Sequence, residues 1–114
     1  MENTTKLFNA LSNDVRLKIM ILLYQGELCV CQIEEILKIN QTMASRHLNV
    51  LKYSGLVKGR REGLWIYYSI VMPTDKIGKT IFSCFNELVT KYPDLKVTKK
   101  TMKSCMDKIS KKCK

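Results

Sequence analysis

At 114 residues, 46% hydrophobic and 26% charged, the chain has the makeup of one soluble globular domain with a modest core that dimerisation would help. The opening stretch MENTTKLFNAL lacks the basic and apolar segments of a signal peptide. The longest apolar run, IMILLY, is too short to cross a bilayer, so a cytoplasmic protein with no membrane partner is expected. The net charge of +10 suggests a polyanionic partner but divides as +3 over residues 1–90 and +7 over 91–114. Charge alone therefore does not separate nucleic acid from a membrane surface or a solvated tail.

TTKLFNAL places Leu7, Phe8 and Leu11 at the spacing of a short amphipathic helix. Ser12 is expected to cap the next helix, with Asp14 in its first turn, where the helix dipole favours negative charge. Val15, Ile19, Leu22 and Leu23 form the stripe of that helix, flanked by Met20, and Gly26 is a natural residue to end it. In CQIEEILK, Ile33, Ile36 and Leu37 predict a third helix of about two turns. Asn40 is expected to cap a longer helix, QTMASRHLNVLKYSG, closed by Gly55. Ala44, Leu48 and Leu51 are its core stripe; Thr42, Ser45, Arg46 and Asn49 are its opposite, polar stripe.

The period then changes. Leu56, Val57, Trp65, Ile66, Tyr67 and Tyr68 are strand formers around a turn at Glu62–Gly63, which gives a hairpin with Lys58, Arg60 and Arg61 at its tip. Pro73 ends the strand. TDKIGKTIFSCFNELVTKY predicts one helix with Ile77, Ile81, Cys84, Phe85 and Leu88 on its buried face, and Pro93 breaks it. Met102, Cys105, Met106, Ile109 and Cys113 recur at helical spacing and predict a short C-terminal helix. The fold class is mainly α with a small β-hairpin, in the order helix-helix-helix-helix-strand-strand-helix plus the terminal helix. A helix, tight turn and polar-faced helix followed by a hairpin make a winged helix-turn-helix. Residues 1–92 are expected to be the DNA-binding and dimerisation domain, and 93–114 a Lys-rich, Cys-containing tail.

Five cysteines in a cytoplasmic chain point to metal or redox chemistry rather than a disulfide framework. In the stretch ELCVC, Cys29 and Cys31 sit at a helix start, where free amide N–H groups favour the thiolate. Residues i and i+2 of a regular helix are about 200° apart, so the pair can hold one ion only if the first turn distorts. Soft thiolates select soft ions.

ALSNDVRLKIM, ELCVCQI, QTMASRHLNVLKYSGLV and GRREGLWIYYSI fall in the order and spacing of the ArsR/SmtB family of winged-helix metal-sensing repressors, over about residues 5–90. The resemblance to its arsenic-responsive branch implies a homodimer built from the first and last helices. Such a dimer would sit on operator DNA and release it when As(III) or Sb(III) binds Cys29 and Cys31. Some relatives carry a third cysteine where this chain has Glu34, which leaves the third ligand open: Cys105 ranks ahead of Cys113, two thiols alone can suffice, and Cys84 is expected in the core.

The second helix of such a motif lies in the major groove. Gln41, Thr42, Ser45, Arg46 and Asn49 are the expected base-side residues, since Gln pairs with adenine and Arg with guanine. His47 is expected either at the DNA or tied to a neighbour on the helix surface, and Arg60 and Arg61 at phosphate or in the minor groove. A Cd(II), Pb(II) or Zn(II) repressor of the same fold, or a thiol redox sensor, is the alternative. One histidine and no Gly-rich phosphate loop argue against an enzyme.

Overall fold

The computed structural model describes residues 1–97; the expected terminal helix, with Cys105 and Cys113, lies outside the described residues. Helix α1 (Glu2–Leu11) buries Ala10 and half-buries Leu7 and Leu11, but leaves Phe8 exposed. Ser12 ends this helix rather than capping the next, its hydroxyl donating to the Asn9 carbonyl at 2.7 Å. Asn13 caps α2 (Asp14–Tyr24) instead, because its carboxamide oxygen reaches the N–H groups of both Val15 (2.9 Å) and Arg16 (3.2 Å).

Ile19 to Leu23 are five consecutive buried residues, so the second half of α2 is apolar on every side and runs through the core, while Asp14 and Lys18 in its first half are exposed. Gly26, at φ 151, turns the chain into a strand that no pattern in the sequence predicts: β1, Leu28–Cys29. Two residues carry no alternation to read, and only the partner strand makes them a strand. Helix α3 (Val30–Leu37) follows and ends at Lys38, a non-glycine in the left-handed region (φ 55). Helix α4 (Gln41–Tyr53) starts as expected, with the Asn40 carboxamide oxygen accepting the Met43 N–H at 2.8 Å, and Gly55 follows its end at φ 78. Ala44, Leu48 and Leu51 are fully buried.

Strands β2 (Val57–Glu62) and β3 (Trp65–Ile70) form the hairpin. Its loop is Gly63–Leu64, one residue later than expected, because Glu62 pairs with Trp65 and the positive φ of 62° falls on Gly63. The sheet is antiparallel with order β1-β3-β2.

The single helix expected after Pro73 is two, α5 (Lys76–Ser83) and α6 (Phe85–Lys91), meeting at Cys84. The break brings Phe82 and Phe85 together, stacked at 5.2 Å, with Phe85 edge-on to Tyr24 at 5.6 Å. The buried face is therefore Gly78, Phe82 and Phe85. Ile77 and Cys84, both expected inside, are exposed in this chain. A 3-10 turn, Pro93–Leu95, follows. The Gln25 side chain holds it down, donating to the carbonyls of Leu95 (2.7 Å) and Ile21 (3.1 Å) and accepting from the Val97 N–H (2.7 Å).

Candidate nucleic-acid interface and thiol site

With Ala44, Leu48 and Leu51 sealing one side of α4, the helical period turns Thr42, Ser45, Arg46 and Asn49 the other way, while Gln41 lies at the helix start beside the buried stripe. All are exposed except Ser45, which is half-buried. These groups form a mixed donor and acceptor surface, the chemistry that base edges require.

His47 lies to one side of that surface. Its Nδ1 is 3.4 Å from Nη1 of Arg16, whose Nε donates to the Ala10 carbonyl (2.8 Å) and whose Nη2 donates to the Asn9 carbonyl (3.2 Å). A guanidinium only donates, so Nδ1 accepts and the ring proton sits on Nε2. Partial burial, then Arg16, then Arg46 hold the imidazole below its ordinary pKa. Of the two expectations for His47, the described geometry contains the tie to a neighbour, and the remaining ring donor is Nε2–H. Arg16, which no spacing in the sequence singled out, thus joins the C-terminal carbonyls of α1 to α4.

On the wing, Arg60 lies mid-strand rather than at the tip. Its Nε and Nη2 donate to the two carboxylate oxygens of Glu27 at 2.9 and 2.7 Å, and its Nη1 donates to Glu62 at 2.7 Å. Its guanidinium carbon stands 4.7 Å from the centroid of the Tyr67 ring. The two carboxylates raise the Arg60 pKa further, and the Arg60 hydrogen bond lowers that of Glu27. Arg61, next along the strand, points to the opposite face beside Ile66 and is exposed. Glu27 carried no sequence signal, since an acid 33 residues from its arginine is invisible to any local pattern.

The two thiols occupy different environments. Cys29 is fully buried, extended, paired with Tyr67, and serves as N-cap of α3. Its side chain and that of Gln32 form a capping box, in which Gln32 Oε1 accepts the Cys29 N–H at 2.8 Å. Cys31, in the first turn of the helix, is half-buried and lines a cleft of about 270 Å³ with Val30, Glu34, Gln41, Leu64, Trp65 and Ile66. That cleft touches α4 at Gln41 and the hairpin at Leu64–Ile66. Among the described residues no three His, Cys, Asp or Glu side chains are assembled around one point; Cys29 and Cys31 are the sulfur-bearing residues of this region.

Residues 13–58 match the family described as bacterial regulatory protein, arsR family. A cadmium resistance regulatory protein CadC homolog of Staphylococcus aureus is 45% identical over 69 residues, 60% of this chain and 57% of that protein. The arsenical resistance operon repressor of Escherichia coli is 42% identical over 66 residues, 57% of this chain and 56% of that protein. The chain thus spans little more than half of either. An uncharacterized HTH-type transcriptional regulator of Methanocaldococcus jannaschii is 42% identical over 88 residues, 76% of this chain and 96% of that protein. Among solved structures, a homodimeric winged helix-turn-helix DNA-binding domain from Mycobacterium bovis, described as a possible ArsR-family regulator, superposes with a TM-score of 0.64. It is 32% identical and covers 85% of this chain and 87% of that one.

Proposed function

The chain belongs to the ArsR family of bacterial regulatory proteins, DNA-binding transcriptional regulators and not enzymes, and we propose that it is the metalloid-responsive repressor of that family. In this reading a homodimer holds operator DNA in the cytoplasm and lets go when As(III) or Sb(III) is captured by Cys29, Cys31 and Cys105. The Mycobacterium bovis neighbour is homodimeric, and Phe8 on α1 and Ile77 on α5 are exposed apolar side chains that a second copy would cover. Gln41, Thr42, Ser45, Arg46 and Asn49 face base edges, His47 offers Nε2–H to a phosphate, and Arg60 and Arg61 serve the wing. Arg60 still has two N–H groups outside its carboxylate contacts.

The observation that carries the reading is the double duty of Cys29. It caps the helix that supports α4 and it pairs with the wing strand, and it is fully buried. Cys31 is within reach of solvent and would take the metalloid first, its thiol displacing a hydroxide from As(OH)₃ with release of water. The second exchange needs the Cys29 sulfur and draws it from its place at the cap of α3. Capture therefore competes with the native first turn of α3, and the support of α4 changes with it.

The test follows anisotropy of a labelled operator fragment with reduced protein while arsenite, antimonite, Cd(II), Pb(II), Zn(II) or an oxidant is titrated. Release by arsenite or antimonite, lost in Cys29→Ser, is the expected result. The similarity to a cadmium regulator makes Cd(II) the second reading, and release by Cd(II) or Pb(II) alone would establish it in place of the first. Release by oxidant alone would make the pair a redox switch.

A further inference from the structure

The register of the sheet puts Cys29 opposite Tyr67 on one side of β3 and Arg60 opposite Tyr67 on the other. Directly paired residues project from the same face, so Cys29, Tyr67 and Arg60 form one transverse row across all three strands. Glu27, two residues before Cys29, closes the row with both carboxylate oxygens on the Arg60 guanidinium, which lies over the Tyr67 ring. Resting on the reading of Cys29 as an inducer ligand, we propose that Glu27 is a positioning residue for the wing and that it transmits capture at the thiols to the wing.

Two strands alone are marginal in water, whereas a third strand makes such a ribbon hold its place. Here the third strand is only Leu28 and Cys29, and the ion pair extends its grip on the hairpin by one further residue. Gly26, at φ 151, sits immediately before Glu27 and lets this segment swing without moving α2. Drawing the Cys29 sulfur toward Cys31 pulls the backbone of β1 off β3 and takes the Glu27 carboxylate from Arg60. The wing is then a two-stranded ribbon, and Lys58 and Arg61 are no longer held at a fixed distance from α4. The inducer site thereby reaches the DNA surface by a route separate from the recognition helix.

The experiment uses the full chain. Glu27→Gln keeps the size of the side chain and removes the charge. Without inducer its operator affinity is expected to fall about two- to fivefold, as for an exposed pair. The factor by which arsenite weakens operator binding is expected to shrink by about fivefold or more, the lower end of ordinary coupling. Both effects should vanish when Glu27→Gln is made on an Arg60→Gln background, whereas an effect of Glu27 that does not run through Arg60 would persist there. Hydrogen exchange read without DNA should show faster exchange at the wing amides 57–70 in Glu27→Gln, and in the wild type on adding arsenite, with the α2 amides unchanged. Arsenite binding is followed separately by sulfur–arsenic absorbance. Binding with no change at the wing amides overturns the proposal, as does tighter operator binding by Glu27→Gln. Failure of arsenite to bind at all sinks the inducer reading instead, while the Glu27→Gln exchange and affinity results still decide whether Glu27 positions the wing.

Discussion

Replacing Cys29 by serine separates the two jobs of that residue. The hydroxyl oxygen is a better cap acceptor than sulfur, and Ser-x-x-Gln is itself a capping box, so the Gln32 contact at 2.8 Å should survive. Serine caps help a helix by about 1 kcal/mol over poor caps, while exchanging the apolar sulfur for a smaller hydroxyl at a fully buried position gives up about 1 kcal/mol of burial. The two nearly cancel, and Cys29→Ser is expected within about 1 kcal/mol of wild type. Its operator affinity without inducer should be unchanged, and its release by arsenite abolished. Urea unfolding followed by circular dichroism checks the first expectation, and operator anisotropy the other two. A loss above about 3 kcal/mol would refute the capping argument. Release by arsenite at wild-type concentrations would remove Cys29 from the ligand set.

Asn40→Ala removes the oxygen that caps α4 and should cost about 1 kcal/mol in urea unfolding, with weaker operator binding because the frayed turn carries Gln41 and Thr42. Gly78→Ala would place a Cβ 2.5 Å from the Pro73 ring, which cannot step aside, so α5 should shift at a cost of about 1–3 kcal/mol and dimerisation read by sedimentation should weaken. His47 is held below the ordinary imidazole value of 6.5, so the unfolded chain takes up its proton first as pH falls. The stability this gives is present above that value and is lost as pH falls toward the folded-state pKa. Urea midpoints of wild type should therefore drop more steeply than those of His47→Gln between about pH 7.5 and pH 5, and equal slopes would contradict the desolvated, Arg16-facing ring. Arg61→Ala should reduce the salt dependence of operator binding by about one phosphate contact without altering sequence preference.

Helix α4 is legible in the chain because every local cue agrees: an asparagine cap, a stripe at helical spacing and a glycine end. The helices around it are legible for the same reason. What escapes depends on partners far away in sequence. Leu28 and Cys29 become a strand only through Tyr67 and Tyr68, and Glu27 matters only through Arg60. The difference between Ser12 and Asn13 as a cap is a matter of one residue, decided by which oxygen reaches two N–H groups. The break at Cys84 and the exposure of Ile77 come from where two phenyl rings pack, which periodicity cannot rank. Within the candidate site, the faces of α4 and the thiol pair follow from pattern, whereas the partners of His47 and Arg60 require the fold.

The strand order β1-β3-β2 also bears on how the protein avoids self-association. WIYYSI, uncharged and rich in aromatic and β-branched residues, is the stretch of this chain most suited to cross-β stacking. It is the middle strand, with one edge paired along its length by β2 and the other paired by β1 only at Tyr67 and Tyr68. On one side lies β2, whose lysine and arginines discourage pairing with another sheet; on the other lie only Leu28 and Cys29. Any ligand or variant that lifts β1 away uncovers the rest of that second edge, so the step that frees the wing would also expose a strand able to recruit its neighbours.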